Sequence, residues 1–315
     1  MPDLRRDLKV VVCGCLPLGR EIVRYLVGNE IHIDHIVSLS AADAQRYEVA
    51  NYASYADLAT QLGIPLYLAE TYSLGGERDC QFFRDRRFDV LLMGGWQRLF
   101  PATVLDTLAV GGIGIHGSSE FLPEGRGRSP VNWSLIEGKR RFIQQLFLMR
   151  PGADDGDIIS YDTFDINEWD DCDTLHHKSA IVSKRLMRDV LTRLRAGGSL
   201  SLSPQRGEPS YYRKRTPADG AIDWSRTVFE IHNLIRALTR PFPGAFSYLE
   251  GEKAFFWRTQ PFDTRITYFG EEYGKVVELF ESGDFVVNCK SGLLLVRDCT
   301  VRPRAGDIFT SQPGR

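Results

Sequence analysis

The chain has 315 residues, 43% hydrophobic and 25% charged, with 39 Lys+Arg against 41 Asp+Glu. That balance suits one large or two ordinary globular domains, and it excludes a disordered, fibrous or collagen-like chain. A protein that lives on nucleic acid usually carries a basic surplus, and here there is none.

The six cysteines, at 13, 15, 80, 172, 289 and 299, are scattered. Cys13-x-Cys15 is too close for a C-x-x-C pair, so reduced core cysteines in a cytosolic protein are expected. No run approaches the roughly 18 to 20 apolar residues that span a bilayer. Residues 9–15 form a valine-rich apolar run that reads as a buried parallel strand rather than a signal peptide. Gly14 and Gly19 bracket a turn, residues 20–26 have helical spacing, and 31–39 read as a second strand. This opening suggests a Rossmann-like sheet. The turn is not a phosphate loop, because Arg20-Glu21 stands where Lys-Ser/Thr is needed; its glycines are expected to serve close packing.

A helix is predicted over 55–62, a short strand over 63–67, a helix over 79–86, and a buried strand over 89–94 ending at Gly94-Gly95. Residues 113–116 form an apolar segment that delivers His116 at its end, where open sheets bind ligands. A strand follows over 144–149. A long helix covers 174–194, capped by Asp173 or Thr174 and closed by Gly197-Gly198. The stretch 196–209, rich in Gly, Ser and Pro, is the best linker candidate. Beyond it come a helix over 225–238 and short strands over 245–249, 254–257, 274–280, 284–289 and 293–299, a pattern of a small barrel or sandwich. The expected fold class is α/β, with a Rossmann-like domain over 1–203 and a helix plus small β-barrel over 204–315.

Three segments could carry chemistry: Ile115-His116-Gly117-Ser118-Ser119-Glu120-Phe121-Leu122-Pro123, Gly125-Arg126-Gly127-Arg128-Ser129-Pro130-Val131-Asn132-Trp133, and Pro151-Gly152-Ala153-Asp154-Asp155-Gly156-Asp157. They supply a strand-end histidine, an arginine-bearing loop and an acidic turn. A histidine with a carboxylate partner is a general acid/base pair. Taken alone, His116 reads as a structural residue and Asp154 or Asp155 as a turn former.

These segments resemble the formyltransferases that use N10-formyltetrahydrofolate. His116, Pro123, Arg126-Gly127, Pro130 and Asp154-Asp155-Gly156 fall in that family's order. The resemblance continues through Leu175-His176-His177-Lys178, Arg213-Lys214-Arg215-Thr216-Pro217, Ile222-Asp223-Trp224, His232 to Ala237 and Pro243-Gly244-Ala245-Phe246. It covers most of residues 85–257 and looks most like the sugar-nucleotide branch, whose products enter polysaccharide biosynthesis. The C-terminal barrel it implies is OB-like.

The resemblance implies an acyl transfer in which a neutral amine attacks the formyl carbon. His116 accepts and relays the proton, and Asp154 orients it. Trp96, Gln97 and Leu99, with Gly152 and Asp155, would flank the folate. Arg126 and Arg128 would meet anionic groups, and Asn132, Asn233 and Arg236 the acceptor. No metal is expected: His176 and His177 are adjacent and point to different helix faces. The implied partners are a nucleotide-linked amino sugar and tetrahydrofolate, with no membrane and no nucleic acid; a homodimer stays open.

One position departs from the family. Its asparagine, two residues before the histidine, is Gly114 here, and the loop from His116 to Pro123 is longer by two residues. Losing one oxyanion donor typically costs about 2.7–4 kcal/mol of barrier. Ser118, Gln97, Asn132 or a backbone N–H of loop 117–121 could substitute. Two alternatives accompany the amino-sugar reading. Methionyl-tRNA formyltransferase must hold a polyanion, whereas residues 204–315 carry 16 Lys+Arg and 14 Asp+Glu. A folate-binding protein that lost catalysis through Gly114 would not need to keep His116 and Asp154.

Overall fold

The valine-rich opening folds as β1 (Val10–Cys13), with all four side chains buried. Val10 and Val12 enter one apolar cluster, Val11 and Cys13 another. Successive side chains of a strand point to opposite faces, so both faces are covered, as in parallel sheets generally. The structure, a computed structural model, describes residues 8–268 and 270–313. After β1 come α1 (Pro17–Gly28), β2 (His35–Ser38), α2 (Ala41–Arg46), α3 (Ala56–Leu62), β3 (Leu66–Leu68), α4 (Glu77–Arg86), β4 (Val90–Met93), α5 (Ala102–Leu105) and β5 (Gly111–Ser118). Next are β6 (Arg126–Gly127), α6 (Pro130–Ile136), β7 (Arg141–Leu148), β8 (Ile158–Asp165) and α7 (Cys172–Arg195). The chain ends with β9 (Tyr211–Tyr212), α8 (Val228–Leu238), β10 (Ala245–Leu249), β11 (Glu252–Asp263), β12 (Val276–Leu279), β13 (Phe285–Cys289) and β14 (Gly292–Cys299).

Seven strands form one sheet in the order β3-β2-β1-β4-β5-β7-β8. The first five are parallel, and β7 runs antiparallel to β5. The order reverses between β1 and β4, the kind of switch point beside which open sheets hold ligands. The glycine turn after β1 serves packing: a Cβ on Gly14 or Gly19 would lie within 2.5 Å of the Gly94 carbonyl oxygen. Tyr55 seals the same place by donating to Leu16 O at 2.8 Å.

The chain divides into two compact units. The first comprises Met1–Arg126, Ile143–Phe164 and Lys178–Tyr211, the second Gly127–Phe142, Asp165–His177 and Tyr212–Arg315. The 203/204 division falls inside the last segment of the first unit. Within the stretch 196–209, Ser203 and Ile158 exchange two backbone hydrogen bonds, which stitch Ser203 to the start of β8. The second strand is also shorter than its apolar run, beginning at His35; just before it, the Asp34 N–H donates to Val10 O at 2.9 Å and its carboxylate accepts the Val10 N–H at 2.7 Å.

The second unit holds a five-stranded antiparallel sheet, β10-β11-β14-β13-β12. Residues 307–310 join its two edges, bonding β10 through Tyr248 and β12 through Val276. That closes the sheet into a small barrel.

Candidate active site

β5 carries His116 in its second half. Even-numbered residues of β5 share one face; on that face lie Gly114, His116 and Ser118. The register sets Phe147 of β7 opposite Gly114 and Gln145 opposite His116. His116 is 6% exposed. Its Nε2 lies 3.0 Å from Gly125 O and its Nδ1 3.6 Å from Asp154 Oδ2. A carbonyl oxygen only accepts, so Nε2 carries the proton and donates, leaving the Nδ1 lone pair facing the carboxylate.

Both supports of the ring are themselves fixed. Gly125 has φ +70, the left-handed region that favours glycine. Its N–H donates to Ser210 Oγ at 2.8 Å, and the next N–H, of Arg126, donates to Ser210 O at 3.0 Å. Asp154 sits on the turn between β7 and β8 with φ +52, a conformation aspartate tolerates better than most residues. That turn folds back tightly: a Cβ on Gly156 would lie 1.5 Å from Leu148 O, and Leu148 N–H donates to Asp157 O at 2.8 Å.

Burial pushes the His116 imidazole below its ordinary value, with the Arg126 guanidinium acting in the same direction. Asp154 and the Gly125 carbonyl oppose this by favouring the imidazolium. The group is thus a neutral base at physiological pH with a carboxylate in place for the charged form.

Gly114 has a physical reason. A Cβ there would lie 2.4, 2.7 and 2.8 Å from three ring carbons of Phe147. Phe147 is 3% exposed and packs in the cluster that also holds Trp96, Leu122 and Met149. The ring occupies the space an asparagine side chain would need.

Ser118 is fully buried, and its Oγ accepts the Glu120 N–H at 3.3 Å. Trp96 is a core aromatic whose Nε1 donates to Tyr72 O at 3.1 Å. Gln97 donates from its side chain to Ala50 O at 3.4 Å, and Leu99 is exposed. Gly152 lies tight against Asp155, whose Oδ1 is buried without a hydrogen-bond partner. Arg126 is buried; its Nη1 donates to Tyr211 Oη at 3.1 Å and its Nη2 to Gln205 Oε1 at 2.5 Å, while Nε has no partner.

Arg128, Asn132, Asn233 and Arg236 belong to the second unit. Arg128 is exposed. Asn132 Nδ2 donates to Ala237 O at 2.6 Å, tying α6 to α8. Arg236 donates to Asn233 Oδ1 at 2.9 Å and to the carbonyls of Asn167 and Asp170, both at 2.8 Å.

Two residues were missed by sequence reasoning. Gln145 is fully buried; its amide accepts the Leu122 N–H at 3.2 Å and donates to Glu120 O at 3.4 Å, pinning the long loop after β5. Gln205 bonds the acidic turn. A glutamine inside an apolar strand was a usable signal for the first; nothing local marked the second. His176 packs against Phe242, and among the described residues no three His, Cys, Asp or Glu side chains cluster as metal ligands. Among the same residues no helix is long and apolar enough to cross a membrane.

Three solved structures share the fold. HypX from Aquifex aeolicus in complex with tetrahydrofolic acid is 14% identical, covering 96% of this chain and 46% of HypX, with TM-score 0.65. The chain thus spans about half the length of HypX. WlaRD, a sugar 3N-formyltransferase crystallised with dTDP and 5-N-formyl-THF, is 16% identical over 94% of this chain and 99% of its own, with TM-score 0.65. The N-formyltransferase from Helicobacter canadensis in complex with folinic acid and dTDP-3-aminofucose is 16% identical over 95% and 99%, with TM-score 0.62. The family described as formyl transferase matches residues 53–191, and the one described as formyl transferase, C-terminal domain, matches residues 214–310. With both halves matched and the histidine and acidic turn in family order, the chain belongs to the formyltransferase family.

Proposed function

We propose that the chain is an N-formyltransferase that moves a formyl group from N10-formyltetrahydrofolate to the amine of a nucleotide-linked amino sugar. The observation that carries this reading is the buried imidazole of His116, held by Gly125 O on one nitrogen and facing Asp154 with the other.

The amine, neutral, attacks the formyl carbon and forms a C–N bond; the carbonyl π pair moves to oxygen. Nδ1 of His116 takes the amine proton, and Asp154 stabilises the imidazolium. The bond from the formyl carbon to N10 then breaks, and N10 receives the proton that His116 holds. The 3.6 Å gap between Nδ1 and Oδ2 exceeds a direct hydrogen bond, so both atoms have capacity left for an incoming N–H. Gly114 offers no oxyanion donor. Ser118 shares the face of His116, and its hydroxyl proton can point at the oxyanion while its oxygen accepts from Glu120. The buried, unpartnered Oδ1 of Asp155 suits an N–H of the folate ring. The dTDP and dTDP-sugar complexes of WlaRD and the Helicobacter canadensis enzyme support the acceptor class.

The test is incubation with N10-formyltetrahydrofolate and a panel of nucleotide-linked amino sugars, followed by mass spectrometry. Formylation of at least one acceptor agrees with the reading. Deformylation without any acceptor, or none at all, contradicts it.

A further inference from the structure

Gln205 lies outside every helix and strand, yet its amide makes three hydrogen bonds within the first unit. Nε2 donates to Asp154 O and Gly156 O, both at 2.7 Å, and Oε1 accepts from Arg126 Nη2 at 2.5 Å. The two donor bonds straddle Asp155 at the crown of the acidic turn. The acceptor bond reaches the residue next to Gly125, whose carbonyl holds the other side of the His116 ring. One side-chain amide therefore bonds both the backbone of the residue that carries the carboxylate and the side chain of the residue that follows Gly125.

We propose that Gln205 is a positioning residue of the active site: it locks the acidic turn to the Arg126 segment and so fixes Asp154 against His116. The cost of leaving its partners unmade gives the lock its strength. Two carbonyls and a buried guanidinium lose a bond together if the amide goes, and among the described residues no carboxylate pairs with Arg126 to take its place. The charged groups facing the ring are Asp154 on the turn and Arg126 on β6; Gln145, opposite it on β7, is neutral. With the turn released, Asp154 withdraws while Arg126 stays on its own strand, and the imidazolium loses its one anionic partner. The consequence for turnover rests on the formyl-transfer reading above; the consequence for the ring does not.

The experiment is an NMR titration of the full chain with labelled histidine, the His116 signal being assigned from its loss in His116→Gln. In Gln205→Met the imidazole pKa is expected to fall by roughly one pH unit, since a carboxylate within 4–6 Å shifts a neighbour by about 1–3. The kcat is expected to fall about tenfold with KM little changed, because proton relay is worth about 10²–10⁴-fold in all and the base itself remains. Gln205→Glu keeps the acceptor for Arg126 and removes both donors to the turn; it serves if the methionine variant does not fold, and kcat is expected to fall in it too. A folded variant whose kcat and His116 titration match the parent protein overturns the proposal. A moved titration in a protein that formylates no acceptor upholds Gln205 and counts against the formyl-transfer reading instead.

Discussion

Adding a single carbon at Gly114 should test the Phe147 contact. In Gly114→Ala the new Cβ starts 2.4 Å from the nearest ring carbon and under 3 Å from two more. Ordinary carbon contacts lie near 3.5–4.0 Å, so the ring must retreat by about 1 Å inside a packed cluster. Overpacking of this kind costs about 1–3 kcal/mol. Gly114→Asn adds an amide that the ring cannot satisfy, for about 1–3 kcal/mol more. Phe147→Ala alone should cost about 3–5 kcal/mol. Combining it with Gly114→Asn removes the clash and part of the cavity, so the double variant should be more stable than the sum by about 0.5–3 kcal/mol. Urea unfolding followed by circular dichroism reads all four values. The reasoning fails if Gly114→Ala unfolds within about 0.5 kcal/mol of the parent, the scatter of neutral surface changes. Initial rates give a second reading: Gly114→Asn alone should not speed transfer, because the side chain has no room to aim at the formyl oxygen.

Other consequences follow from the same geometry. His116→Gln keeps a polar group of similar reach but cannot hold the transferred proton; kcat should fall about 10²–10⁴-fold in steady-state assays. Ser118→Ala should lower kcat about 10²–10³-fold with folate affinity unchanged by calorimetry, the cost of one oxyanion donor; an unchanged kcat would remove Ser118 from that role. For pH, burial is the main cause that depresses His116 and His232, the latter to about 4. The unfolded chain therefore binds protons that the native one refuses. Stability should be complete above about pH 6.5 and fall on acidification, by up to about 1.4 kcal/mol per pH unit for each histidine still neutral. For the same reason the acid limb of kcat should lie below the ordinary histidine value.

Much of the first unit was legible because its strands are valine runs buried on both faces and its helices carry periodic apolar residues. β1, β4 and α7 lie within a few residues of where composition put them. α6 escaped notice: seven residues are too few to show a period, though Pro130 at its first turn is a helix-start signal. The pair His116 and Asp154 was legible only through the order of motifs, since a strand-end histidine and a turn aspartate are each commonplace. The Gly114–Phe147 fit was not legible, because it depends on which residue of β7 lies across from β5, and register is a property of the folded pair. Gln205 was hidden for a related reason. It sits in a stretch without periodicity and reaches backbone carbonyls about 50 residues away, so nothing local records the contact.

The central claim, that His116 drives transfer of a formyl group onto an amine, is tested most directly by following the group itself. In a single turnover with isotopically labelled N10-formyltetrahydrofolate and an accepted amino sugar nucleotide, carbon NMR reports where the label goes. The account predicts that it leaves the folate and appears as an amide on the sugar, one for one, and that in His116→Gln it stays on the folate over the same interval. Label released as free formate, or transferred as fast without the imidazole, would contradict it.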